Sequence, residues 1–191
     1  FFFDYDLDGW MDILTANGHI EEEIGRVQPK VQYRQPPLLF RNTGRKTFQS
    51  VGQSAGAAFN RPIVARGAAY ADYDHDGDLD VLITTNHGPA YLFRNNRQNA
   101  NHWLTVKLVG TKTNRSALGA VVRVQSPSGR QWETVRTRSN YCSQSDLALT
   151  FGVGNDRVAS VVEIDWPSGD KQRFTDVAVD RFLTITEGKG I

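Results

Sequence analysis

Asp4, Asp6, Asp8 and Asp12 fall within the nine residues "DYDLDGWMD", with Gly9 set among them. Carboxylates that close repel one another, so a cation is the natural partner for such a cluster. The spacing says how it would be held. Carboxylates at the first, third and fifth positions of a tightly curled loop converge on one centre, and glycine at the sixth permits the sharp turn. The backbone carbonyl of Trp10, at the seventh position, is then expected to face inward, and the carboxylate of Asp12, at the ninth, to close the cage. An all-oxygen cage of this kind suits a hard ion of calcium's size, whereas magnesium takes fewer protein ligands and keeps its waters.

The same chemistry recurs downstream. In "AYADYDHDGDLDVLITT" the carboxylates are Asp72, Asp74, Asp76 and Asp80, the glycine is Gly77, and Asp78 offers the seventh-position carbonyl. The two copies share D-Y-D-x-D-G-x-x-D followed by an apolar strand, and "PLLFRNTG" (37–44) returns as "AYLFRNNR" (90–97). Two Ca2+ sites in a repeat architecture are therefore expected, the first copy carrying the insertion "EEEIGRVQPKVQYRQ". These are not EF-hands. The twelfth position holds Thr15 and Ile83 rather than glutamate, and the flanks "GAAYA" and "VLITT" are strand-like.

The elements that must position the loops are all β. From "NHWLTVKLVG" onward, alternating segments predict strands at 103–109, 119–126, 131–137, 147–152, 160–166, 171–177 and 181–186, with "SPSG" and "WPSG" as hairpin turns. Seven short strands at this spacing suit a small β-sandwich. No stretch sustains helical periodicity. The polar run "RQNANH" (97–102) is the expected boundary, giving a partial β-propeller over 1–98 and a β-sandwich over 99–191.

"FFDYDLDGWMDILTANGHI", "LLFRNTG" and "RGAAYADYDHDGDLDVLITTNHGPAYLFRN" resemble FG-GAP/VCBS-type calcium-binding repeats of β-propellers. With "NHWLTVKLVGTKTNRSALGAVVRV", "YCSQSDLALTFGVG" and "VEIDWPSG", nearly the whole chain is similar to proteins of the cartilage acidic protein-like family, which join such a propeller to an ASPIC/UnbV domain. The resemblance implies calcium-bearing blades followed by a compact β-domain. One departure limits it: the animal members are acidic, while this chain holds 22 basic and 21 acidic side chains, a net charge of +1.

That balance suggests no nucleic-acid partner, and no apolar run reaches the roughly 18 residues of a membrane helix. The single cysteine, Cys142, excludes an internal disulfide and multi-cysteine zinc sites; its strand-like flanks predict burial. "GQSAG" (52–56) matches a nucleophile elbow, but Ser54 lies in an all-β repeat with no convincing helix after it, so a turn is expected. The four histidines lack metal-ligand spacing, and His75 should point away from its ion. Trp132, Tyr141 and Trp166 could form an exposed sugar-stacking platform, but packing in the core or in turns is the default expectation. Asn114-Arg115-Ser116 is a lone glycosylation sequon.

The expected function is a non-catalytic, calcium-stabilised extracellular or cell-surface scaffold (the periplasm being a variant) for binding, adhesion or assembly. Its partner would be a protein, a glycan or further copies of the chain. The alternative is a carbohydrate-active enzyme or carbohydrate-binding module on a propeller platform. Because the chain opens inside a strand, it is also expected to be part of a longer protein or of an oligomer.

Overall fold

The computed structural model describes residues 1–96, 99–137 and 140–191. Arg97 and Gln98, which open the expected boundary segment, lie outside the described residues. The fold is all-β, as expected. In the first half, β1 (Phe2–Phe3), β2 (Asp12–Thr15), β3 (Leu38–Asn42) and β4 (Phe48–Ser50) form an antiparallel meander in that order. β5 (Ala65–Ala71), β6 (Asp80–Thr85) and β7 (Tyr91–Phe93) form a second. Each Asp loop thus joins the first strand of a sheet to the second: residues 4–11 link β1 to β2, and residues 72–79 link β5 to β6. Alternation decides which side chains go inward. Phe3, Leu14 and Leu39 pack with Ala68, Val81 and Ile83 into one buried cluster, while Phe2 and Leu82 point outward.

The second half builds a sandwich. β8 (His102–Val109), β11 (Leu149–Gly154) and β14 (Arg181–Thr186) form one sheet in the order β11-β8-β14. β9 (Val121–Ser126), β10 (Gly129–Thr134), β12 (Val158–Asp165) and β13 (Lys171–Ala178) form the other, in the order β10-β9-β12-β13. Leu104, Val106 and Phe151 from the first sheet meet Val122, Val162 and Ile164 from the second in a separate core. Both hairpins fall where the turn sequences place them. Ser126 pairs with Gly129 across "SPSG", and Gly169 takes φ 92 in the turn after β12. The β8–β14 pairing is parallel. Beyond β14, the buried carboxylate of Glu187 accepts the amides of Thr111, Lys112 and Thr113 at 2.8, 2.8 and 2.9 Å and the Ser168 hydroxyl at 2.6 Å. Burial pushes that carboxyl up, but these hydrogen bonds outweigh it and bring it down to about 2.

Three expectations are corrected. Trp132 and Tyr141 are exposed at 66% and 76% rather than packed, whereas Trp166 is buried at 3% exposure, continuing the inward parity of Val162 and Ile164. Cys142 is exposed, on a loop with φ 47 rather than inside a strand. Helix does follow β4: α2 spans Gly52–Ala55, after α1 (Ile24–Val27) in the insertion, and a 3-10 turn covers Ala57–Asn60. Ser54 lies within α2, not at its corner, and its hydroxyl donates to the Val51 carbonyl at 3.0 Å. Among the described residues no helix is long and apolar enough to cross a membrane.

Candidate metal centres

The two Asp loops superpose bond for bond in their local chemistry. At the first position, Asp4 accepts the amides of Asp8 and Gly9 at 3.1 and 2.8 Å, and Asp72 accepts those of Asp76 and Gly77 at 3.1 and 3.0 Å. These bonds curl the backbone into a closed turn. The curl forces left-handed geometry at the fourth and sixth positions: φ is 57 and 89 at Leu7 and Gly9, 60 and 93 at His75 and Gly77. Glycine carries the sixth position without steric cost. At the fifth, Asp8 and Asp76 each accept the amide two residues on, from Trp10 at 2.9 Å and Asp78 at 3.0 Å.

The ninth position ties the loop to its sheet. Asp12 accepts the Tyr5 amide at 3.1 Å and the Asn42 amide at 2.7 Å; Asp80 accepts those of Tyr73 at 3.4 Å and Asn95 at 2.7 Å. Asn42 and Asn95 belong to the repeated "LFRN", and the preceding arginines face the carboxylates. Arg41 pairs with Asp6 at 2.8 Å and Asp8 at 3.1 Å, and Arg94 with Asp74 at 2.7 Å and Asp76 at 3.7 Å. The sequence displayed this repeat twice, but only the folded sheet shows that its arginine and asparagine serve the Asp loop.

Carboxylate oxygens of Asp4, Asp6 and Asp8 lie within 4.8 Å of one another, as do those of Asp72, Asp74 and Asp80. Asp12 and Asp76 fall outside those tightest groups, Asp12 being wholly buried on its backbone partners. Ligands about 2.3–2.6 Å from one ion can stand at most about 5 Å apart, so each group matches a calcium shell. Among the described residues, an oxygen at the same position of both loops lacks a hydrogen-bond partner. These atoms, Asp6 Oδ1 and its equivalent Asp74 Oδ1, are buried, an expensive arrangement for a carboxylate unless a cation meets it. His75 points away, its ring edge-to-face with Phe182 at a centroid separation of 5.6 Å.

Burial raises the carboxyls of this region. It pushes Asp4 well above the ordinary 3.8, against the Gly9 hydrogen bond, and Asp12 to about 7; it also raises Asp6, Asp72 and Asp80. A bound cation acts in the opposite sense, favouring the ionised form.

Residues 4–83 match the FG-GAP-like repeat family, and residues 110–191 match the ASPIC and UnbV family. Cartilage acidic protein 1 of Homo sapiens is 35% identical over 185 residues, covering 92% of this chain and 27% of that protein. The protein of the same name from Mus musculus is 35% identical over 127 residues, with 63% of this chain and 19% of its own length covered. In Xenopus tropicalis the figures are 34% over 109 residues, 54% and 16%. The chain thus spans well under a third of each of these relatives.

Proposed function

Because the chain belongs with the proteins that join FG-GAP-like repeats to an ASPIC and UnbV region, we propose that each Asp loop holds one calcium ion, and that the chain is a calcium-rigidified, non-catalytic module for binding or assembly outside the cell. The observation that carries this is the orphaned buried oxygen at the same position of both loops, Asp6 Oδ1 and Asp74 Oδ1. Asp4, Asp6 and Asp8 supply side-chain oxygens in the first loop, with Asp12 holding the loop to its sheet and the Trp10 carbonyl as the backbone ligand. Asp72, Asp74 and Asp80 do so in the second, joined by Asp76 and the Asp78 carbonyl. Arg41 and Arg94 offset part of the remaining negative charge from the rim.

The ion neutralises carboxylates that burial would otherwise hold protonated, and so fixes the β1–β2 and β5–β6 connections. Extracellular calcium modules bind at about 10⁻⁴–10⁻³ M, so such sites fill outside cells and stay largely empty in a cytosol; this supports an extracellular or cell-surface location. Residues 1–98 would act as a partial propeller and 99–191 as a sandwich. Protein, glycan or further copies of the chain are the partner classes. Calorimetric titration tests the reading: two sites are expected, with Asp6→Asn removing one and Asp74→Asn the other. Absence of calcium-dependent heat in the folded chain would overturn it.

A further inference from the structure

The two Asp loops are also where the second half of the chain is seated. We propose, on the reading that they hold calcium, that ion occupancy and docking of the two halves form one coupled equilibrium. At the first loop the contacts are polar and reach the backbone. The Gly154 amide donates to the Leu7 carbonyl at 3.1 Å, and the side-chain amides of Asn99 and Asn101 each donate to the Asp6 carbonyl at 2.8 Å. Gly152 lies so close that a Cβ there would stand 2.2 Å from Asp4 Oδ2 and 2.5 Å from the Leu7 backbone. At the second loop the contacts are aromatic. The Trp103 ring covers Gly77, where a Cβ would fall 2.0 Å from it, and Phe182 meets His75.

Every one of these contacts lands on a carboxylate that would bind the ion or on a residue next to one. Leu7 sits between Asp6 and Asp8, His75 between Asp74 and Asp76, and Gly77 follows Asp76. The loop shape that gathers the carboxylates is the shape the second half fits, so an ion that favours this shape favours docking. By linkage, docking tightens the ion by the same factor. A third contact, outside both loops, reports on docking alone: the Asp146 amide donates to the Tyr70 carbonyl at 3.1 Å along the β5 edge.

Hydrogen exchange on the full chain, in calcium and in chelator, tests the coupling at single amides. Calcium is expected to slow exchange about tenfold or more at Gly154 and Asp146 as well as within the loops. Protection confined to Asp8, Gly9, Asp76 and Gly77 would overturn the coupling while leaving the calcium sites standing. No protection at any amide would overturn both. Two substitutions in the second half, neither at an ion-binding residue, give the reciprocal arm. Gly152→Ala is expected to weaken the first site about tenfold, and Phe182→Ala the second about threefold, each sparing the other. Phe182 is 37% exposed, so its variant keeps the arm readable if Gly152→Ala fails to fold. Unchanged affinities in a folded variant would contradict the proposal.

Discussion

The two Asp loops share their hydrogen bonds, their arginine and their dihedral angles, yet they meet opposite surroundings. The first touches backbone and carboxamides: Gly152, the Gly154 amide, Asn99 and Asn101. The second is covered by an indole and a phenyl ring, Trp103 and Phe182. At the fourth position the first has the wholly buried Leu7 and the second has His75. Internal chemistry is therefore set by what the loop must gather, whereas each outer surface has adapted to its own neighbour. The same motif is held by hydrogen bonds in one copy and by ring packing in the other.

The largest expected difference between the copies is steric. Alanine at Gly77 must adopt φ 93 and displace the Trp103 ring; alanine at Gly9 must adopt φ 89 but meets only the Gly152 carbonyl at 3.3 Å and the flexible Gln131 side chain at 3.4 Å. Backbone strain of about 1–3 kcal/mol applies to both, with about 1–3 kcal/mol of overpacking added at Gly77. Urea denaturation should rank Gly77→Ala well below Gly9→Ala, and equal losses would mean that Trp103 yields freely.

Acidity separates the two halves of the chain. Without calcium, Asp12 is raised from 3.8 to about 7, so the stability it contributes is full below pH 3.8 and is lost as pH rises through about 7. Glu187, lowered from 4.5 to about 2, contributes stability above pH 4.5 that is lost as pH falls toward 2. In chelator the melting temperature should therefore fall between about pH 4 and pH 7, and excess calcium should abolish that fall. A flat profile in chelator would show that the first-loop carboxyls stay ionised without a metal.

Calcium at tenfold over its dissociation constant should add about 1.4 kcal/mol per site, or roughly 2–4 °C of melting temperature per kcal/mol for a chain of this size. Asp6→Asn and Asp74→Asn should each halve that gain in thermal melts. An unchanged gain in either variant would assign the ion to the other copy alone. Smallest is the arginine effect. Arg41 is partly exposed, so Arg41→Ala should cost only about 0.5–1 kcal/mol in chelator. The cost should shrink in calcium, where the ion takes over as counter-charge, and thermal melts in the two conditions give the difference.

The loops were legible in the sequence because their spacing is a backbone demand: carboxylates two apart, then a glycine, admit few other uses. Strand positions in the second half were legible for a related reason, since alternation has a fixed period of two. That same parity places Trp166 inside, in step with Val162 and Ile164. Arg41, Asn42, Arg94 and Asn95 were visible as a repeat but not as partners of the Asp loops, because the pairing runs across a sheet. Cys142 was misplaced because its loop is shaped by what it docks on. Asn140 donates to the Ala68 carbonyl, and Ser145 accepts the Tyr70 amide, contacts far away along the chain.

The parallel pairing of β8 with β14 has a consequence for synthesis. The first strand of the sandwich waits for the last one, since Leu104 pairs with Arg181 and Val109 with Thr186. High contact order of this kind slows folding, and on a ribosome, adding about 5–20 residues per second, the sheet cannot close until Thr186 has emerged. Trp103, which covers Gly77, lies on β8 and accepts the Asp180 amide on its carbonyl at 2.7 Å. The second Asp loop, complete in sequence by Asp80, thus gains its aromatic cover only when β14 arrives. Stalled chains ending before Arg181 should accordingly show Trp103 fluorescence typical of a solvated indole, and those extending past Ile191 a buried one.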